Sequence, residues 1–353
     1  MIAEQESLEE LIDAVAQAEL VAIDTEFVRE STYYPQLCLL QAATRGFAAC
    51  VDCLAPIELH PLFERLASPE CVWVLHSARQ DLEVIEHYAR VRPARLIDTQ
   101  IASALIGRAP QVGLQELLAG TLGIELGKDF TRTDWSRRPL PEGALRYALD
   151  DVVHLLPLWE RLEQSLAELG RLEWLREDCG RLLEEAVGYD PLVIWTRLKG
   201  VQMLDGDTQA AAMSLVAWRE GTAQRLDRPR RWIMSDELLQ RIAVRKPSAP
   251  AQLSAVAEMP KRLAARSGEE ILAALAARNR PEIEALLARA GQQGRPDKQA
   301  FKALQSSVRK RAAQLGIESE VLATRRDLSA LLTGRPPAHL EKGWRAAQIA
   351  QLA

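Results

Sequence analysis

The sequence predicts an α/β domain built on a mixed sheet, followed by all-helical segments. Three observations carry this: strand-like apolar runs with a hairpin signal crowd residues 20–54, strands and helical patterns then alternate, and beyond about residue 200 strand signals vanish.

SLEELIDAVAQA (7–18) has helical character. LVAIDTEF (20–27), QLCLLQAA (36–43) and GFAACVDCL (46–54) read as strands, and Thr44 and Arg45 with Gly46 adjoining give a hairpin turn between the last two. ELHPLFERLA (58–67) reads as a helix, CVWVLH (71–76) as a short strand and QDLEVIEHYA (80–89) as a helix. Ser77 is placed to cap that last helix, with Gln80 in capping-box register. Helical stretches dominate from Asp98 onward, and the longest pattern runs from Pro141 to Leu169. Pro157 lies inside it and should kink or divide it. In the following stretch, Pro229, Pro247, Pro250 and Pro260 fall near the ends of short amphipathic helices. A second helical set follows the linker AGQQGRPDKQ, so the expected domains are residues 1–200, 201–285 and 294–353.

The chain is 48% hydrophobic and 26% charged, with no apolar run long enough to span a bilayer, and its acidic start MIAEQESLEE is unlike an export signal. A cytoplasmic protein with no membrane partner is expected. Five cysteines fit a reducing compartment, and Cys50 and Cys53, although spaced C-x-x-C, lack a second pair and are expected as core residues. The net charge of −5 hides a split: residues 201–353 carry 25 Lys and Arg against 16 Asp and Glu, leaving 19 against 33 in residues 1–200. A basic part can meet phosphates, whereas the acidic part needs cations to approach the same polyanion.

Asp24 and Glu26 are two apart in a strand and share a face, with Leu20 and Ala22 beside them and Val21, Ile23 and Phe27 on the other side. Two ionised carboxylates in an interior strand repel each other and lose hydration unless a positive charge lies between them. A divalent cation would supply it, and an edge strand with one solvated face is the alternative. Asp81 falls in the first turns of the helix after His76 and Ser77, where the helix dipole favours an acid in any case. In RYALDDVVHLL, the residues Leu145, Leu149, Val152, Leu156 and Trp159 form one apolar stripe, and Tyr147 lies on the far side with Asp151. Asp150 is also a neighbour of Tyr147, so periodicity does not choose between the two acids.

The ordered set D-T-E-F (24–27), H-S-A-R-Q-D (76–81) and Y-A-L-D-D (147–151) resembles the three motifs of the DEDD superfamily of 3′–5′ exonucleases, in its tyrosine-containing branch, and within that the ribonuclease D family. LIDTQIA (96–102) and DWSRRPLPEGALRYALDDV (134–152) extend the likeness. SLVAWREGTAQRLDRPRRWIMSDELLQRIAVRKP resembles the HRDC module shared by RecQ-type helicases and that family, and a fainter second copy spans FKALQSSVRKRAAQLGIESEVLATRRDLSALL.

The resemblance implies a ribonuclease H-like mixed-sheet domain followed by two HRDC-type helical domains. Its third motif, Tyr-x-x-x-Asp, selects Tyr147 and Asp151. It implies that Asp24, Glu26, Asp81 and Asp151 hold two divalent cations, Mg²⁺ or Mn²⁺, with Asp24 bridging, and that Tyr147 orients the attacking water. The implied reaction is hydrolysis from unpaired RNA 3′ ends with release of nucleoside 5′-monophosphates, by a monomer, and the implied RNAs are transfer-RNA precursors. A DNA exonuclease of proofreading type and a non-catalytic RNA-binding scaffold are the competing readings. Arg228, Arg230, Arg231, Arg245 and Lys246 form one candidate nucleic-acid patch, and Arg309, Lys310 and Arg311 another. Trp232 is expected in the core, and His76 and His154 are expected to pack or hydrogen-bond.

Overall fold

A computed structural model describes residues 1–127, 130, 133–185, 194, 195, 197–291 and 296–352. The chain forms two compact units, one of Met1–Val28, Gln36–Val187 and Arg295–Ala353, the other of Arg29–Pro35 and Gly188–Gly294.

The first unit is built on a five-stranded mixed sheet of order β3-β2-β1-β4-β5. Its strands are β1 (Leu20–Val28), β2 (Gln36–Ala43), β3 (Ala48–Asp52), β4 (Val72–Leu75) and β5 (Arg95–Asp98). β1, β2 and β3 pair antiparallel, whereas β4 runs parallel to β1 and β5 parallel to β4. β1 is therefore the middle strand, not an edge, which explains why both its faces are apolar outside the two acids. The hairpin falls where expected, with Thr44 N–H bonded to the Phe47 carbonyl. On the outer side of β3, Ile2 forms a parallel bridge to Val51, which covers part of that edge.

Helices α1 (Gln5–Ala16), α2 (His60–Leu66), α3 (Arg79–Ala89), α4 (Thr99–Leu105), α5 (Leu114–Leu122), α6 (Glu142–Val153), α7 (Leu155–Glu168) and α8 (Leu172–Glu184) accompany the sheet. The long helical pattern from Pro141 to Leu169, expected to kink or divide at Pro157, is divided at His154, and Pro157 occupies the first turn of α7, where its missing N–H costs no hydrogen bond.

Two local expectations are corrected. β5 lies in four residues, RLID, that carry too little periodicity to be read as a strand. Ser77 does not cap α3: it sits at φ 64, and no side-chain bond caps that helix. Instead the buried Asp98 carboxylate accepts the N–H groups of Ser77 (3.1 Å) and Ala78 (2.9 Å) as well as those of Gln100 and Ile101 at the start of α4. One side chain thus serves two helix starts and ties β5 to the entry of α3.

Residues 294–353 were expected as a second HRDC-like domain, and their described part groups with the first unit. Val308, Ala312, Leu322, Leu328 and Trp344 share a core cluster with Leu175 and Cys179 of α8. Trp344 stacks on Trp174 with centroids 4.3 Å apart, and its N–H donates to Glu177 at 2.8 Å. Arg345, 9% exposed, donates through both terminal nitrogens to Asp178 and through Nε to the Val321 carbonyl. Gly343 sits at φ 82 and a Cβ there would overlap the Glu177 carboxylate, so the turn into the helix Gly343–Ile349 needs glycine. The linker expected at AGQQGRPDKQ falls partly on residues 292–295, outside the described residues.

The second unit is helical. The helix Gly206–Leu226 buries Ala211, Ala212, Leu215 and Val216 against helices Asp236–Arg245 and Lys261–Ala276. Arg219 is fully buried and pairs with Asp236 at 2.7 Å. Asp227, in the left-handed region, accepts the N–H groups of Tyr33 (2.9 Å) and Tyr34 (3.1 Å), and the Tyr33 hydroxyl bonds Glu220 at 3.1 Å. All five cysteines are free and buried, Cys50 and Cys53 among them.

Candidate active site

β1 presents Asp24 and Glu26 on one face because alternate residues of a strand point the same way. A bulge follows directly: Glu26 pairs with Leu39 but Phe27 with Leu37, which leaves Cys38 without a partner and re-aims the end of the strand. α6 lies on that face. Its buried Ala144 and Ala148, one turn apart, pack with Leu39 and Cys50, and their small side chains bring the helix close to the sheet. The close approach carries Asp151 to the strand acids. Oxygen atoms of Asp24, Glu26 and Asp151 lie within 4.8 Å of one another.

Asp81 is not in that trio. Its buried carboxylate accepts the Thr25 hydroxyl at 2.6 Å, and Thr25 projects from the opposite face of β1 to Asp24. It is nonetheless near enough for its charge to act on both Asp24 and Glu26. Tyr147 stands one turn before Asp151 on α6, and the two groups shift each other's titration.

The electrostatics follow from burial and like charge. Asp24 is held well above the usual carboxylate range, first by burial and then by Asp81, Asp151 and Glu26. Burial, then Asp151 and Asp81, push Glu26 up to about 8. Asp81 and Asp151 are each pushed up to about 7, mainly by burial. Burial and the neighbouring carboxylates also raise the Tyr147 hydroxyl above its ordinary value. Among the described residues no Lys or Arg forms an ion pair with Asp24, Glu26 or Asp151. An all-oxygen trio without a protein cation matches hard divalent ions such as Mg²⁺ or Mn²⁺.

A pH dependence follows. Between pH 4.5 and about 8 the folded, metal-free chain holds a proton on Glu26 that the unfolded chain has released. Stability is therefore lost as pH rises through that window. In chelator, the Tm of the parent should fall more between pH 5 and pH 8.5 than that of Glu26→Gln, and parallel curves would refute the raised pKa.

Other neighbours were invisible in sequence. Gln41 pairs in register with Asp24 across the ladder, is fully buried, and has no hydrogen-bond partner for either amide atom among the described residues. Arg138 forks onto Asp52, Nε to Oδ2 at 2.7 Å and Nη2 to Oδ1 at 2.6 Å, and reaches the Cys38 carbonyl, which pins the segment before α6 to β2 and β3. A cavity of about 400 Å³ opens beside Tyr147, lined also by Phe130, Gly143, Arg146 and Asp150. A Cβ on Gly143 would come within 2.5 Å of the Phe130 ring, so glycine lets the ring lie against α6. His76 bonds Thr99 and the Val112 carbonyl through its two ring nitrogens.

The nucleic-acid candidates divide. Lys246 is engaged by Asp207 (2.8 Å) and Arg230 pairs with Glu220 (3.5 Å), whereas Arg228, Arg231 and Arg245 are exposed. Arg311 is held by Gln348, and Arg309 and Lys310 are exposed. Trp232 is 61% exposed, against the expectation of a core residue. The helix Arg230–Ile233 is a single turn that buries only Ile233, leaving the adjacent indole outside.

Comparison with known proteins agrees with this geometry. A family model for 3′–5′ exonucleases matches residues 1–167, and one for the HRDC domain matches residues 209–275. The chain is therefore a 3′–5′ exonuclease carrying an HRDC domain. It is 35% identical to the ribonuclease D of Gluconacetobacter diazotrophicus over 98% of this chain and 89% of that protein. With the ribonuclease D of Xanthomonas oryzae pv. oryzae it shares 38% identity over 94% of this chain and 92% of that protein. The crystal structure of Escherichia coli RNase D, described as an exoribonuclease involved in structured RNA processing, superposes with a TM-score of 0.86 at 29% identity, covering 99% of this chain and 96% of that one. The chain belongs to the ribonuclease D family and is a 3′–5′ exoribonuclease.

Proposed function

We propose that the enzyme trims unpaired RNA 3′ ends, releasing nucleoside 5′-monophosphates, with Asp24, Glu26, Asp81 and Asp151 holding two divalent cations. The convergence of Asp24 and Glu26 from β1 with Asp151 from α6, with no Lys or Arg paired to them among the described residues, is the observation that carries this reading. Such ions, when bound, acidify the attacking water and neutralise charge on the departing 3′ oxygen.

The chain's own residues have distinct tasks. Asp24 and Glu26 fix their oxygens through the rigid middle strand, and Thr25 fixes Asp81 from the other face. The Tyr147 hydroxyl, one helical turn from Asp151 and kept protonated by its raised pKa, offers its oxygen as an acceptor that orients water rather than as a base. We place the terminal nucleotide in the cavity beside Tyr147. We read the enzyme as a monomer. The free cysteines fit a cytoplasmic setting, and no described helix is long and apolar enough to cross a membrane. We also read residues 294–353 as a second HRDC-like module.

Transfer-RNA precursors with extra 3′ nucleotides are the substrates we propose. End-labelled precursor RNA, single-stranded RNA and single-stranded DNA, each with Mg²⁺, Mn²⁺ or chelator, test this. Stepwise loss of RNA 3′ nucleotides only with metal is expected. Preferred DNA cleavage would favour the proofreading-type alternative, and no cleavage the scaffold.

Tyr147→Phe should lower kcat on the order of 100-fold with KM and metal affinity little changed, because orientation of water is lost and no metal ligand is. Steady-state kinetics with a metal titration check this.

A further inference from the structure

Gln41 is fully buried, and neither its amide nitrogen nor its amide oxygen has a hydrogen-bond partner among the described residues. A buried amide left unpaired costs folding free energy that an apolar side chain of similar volume does not. The residue lies in β2 opposite Asp24 of β1 and opposite Cys50 of β3, so the three form one row across the sheet. Residues directly opposite in an antiparallel pair share a face and hold their Cβ atoms about 5 Å apart, within reach of a glutamine side chain. That face is the one α6 covers: Leu39 and Cys50 pack with Ala144 and Ala148, and the Cys50 thiol donates to the Leu145 carbonyl at 3.7 Å.

The row has few polar groups to offer the amide. Leu39 and Ala43, on the same face of β2, are buried and apolar, as is Ala22 two residues before Asp24. Cys50 has committed its one donor hydrogen, and its sulfur is a weak acceptor. Asp24 carries a carboxylate with room for several donors. We infer that Gln41 is a positioning residue whose amide N–H groups donate to the Asp24 carboxylate and hold it in the orientation that takes up a divalent cation. This rests on the metal-site reading and adds a neutral partner to it.

The residue type fits that task. Carboxylates that ligate metals are themselves hydrogen-bonded from outside the ligand set. A lysine or arginine opposite Asp24 would hold it firmly but would put a positive charge where the cation belongs. An apolar residue would leave the carboxylate free to rotate. An amide donates without adding charge, and because both its ends are unengaged, either can turn toward the acid.

The test uses the full chain with Gln41→Met, which keeps the length of the side chain and removes both polar atoms, and Gln41→Leu as a second apolar variant. Mn²⁺ binding, read by titration calorimetry and by the electron paramagnetic resonance of the ion, should weaken about tenfold to a hundredfold in both. Their Tm in chelator should equal or exceed the parental value, because an unpaired buried amide has been removed. With RNA, the Mn²⁺ concentration for half-maximal cleavage should rise by the same factor, with KM for RNA little changed and most of kcat recovered in saturating Mn²⁺.

Parental Mn²⁺ affinity in either variant that keeps the parental Tm would overturn this role and leave the metal site standing. A fall of Tm in chelator in both variants would show that the amide serves the fold, and would overturn it as well. A parent that binds no Mn²⁺ would overturn both readings.

Discussion

Asp24→Asn is expected to abolish RNA cleavage, by at least about 1,000-fold in kcat/KM, while raising the stability of the metal-free enzyme. The activity loss follows from position: Asp24 lies in the middle strand, shares the cluster with Glu26 and Asp151, and feels the charge of Asp81 as well. An amide keeps the shape but removes the negative charge that a divalent ion needs. The stability gain follows from the same crowding. Burial and three like-charged neighbours hold the Asp24 carboxylate well above its usual range, and a neutral isostere is relieved of that repulsion. A rise in Tm of about 2–4 °C in chelator corresponds to roughly 1 kcal/mol. In saturating Mn²⁺ the ranking should reverse, because the parent gains ligand binding free energy that the variant lacks. Turnover at the parental rate by purified Asp24→Asn would remove this residue from the site.

The second large effect concerns stability alone. Arg345→Ala should cost about 3–5 kcal/mol, because it leaves Asp178 buried without its bidentate partner. Arg345 also lies over the Trp344 ring at 4.2 Å and holds the Val321 carbonyl, so packing is lost with the charge. Urea unfolding of the first unit measures the loss. The double change Arg345→Met with Asp178→Leu should recover much of it, since both buried charges then disappear together. A single variant as stable as the parent would show that this pair does not secure residues 295–353 to α8.

Several elements were legible because their signals are local. β1 to β4 show as apolar runs bounded by turn residues, and Pro157 signals the division of the long helical pattern, which falls three residues earlier at His154 because proline is accommodated in a helix's first turn. Asp24 and Glu26 stand out because carboxylates are expensive in an interior strand, whereas helical spacing left Asp150 and Asp151 equal beside Tyr147 and only the resemblance selected Asp151. The assignments that failed depend on what the chain meets far away. Ser77 looked like a cap, but its own N–H donates to Asp98, twenty-one residues on. Trp232 looked like core because a tryptophan more often packs inside than stands exposed, yet its helix is a single turn that leaves the indole outside. Nothing near Arg345 in sequence announces Asp178, and no periodicity marks Gln41 as the buried cross-strand partner of Asp24. Asp81 became a candidate ligand through the resemblance alone, since the helix dipole favours an acid there in any case, and its bond from Thr25 needed the fold.

The first unit is stitched from three stretches of chain, with most of the second unit made between the last two, and this sets an order on biosynthesis. Trp344 closes over Asp178, which precedes it by 166 residues. At about 5–20 residues per second, a ribosome needs about 8–33 s to cover that interval. During it the nascent nuclease sheet leaves the exit tunnel with the indole of Trp174 and the Asp178 carboxylate still uncovered, a surface for chaperones to shield until translation delivers the closing segment.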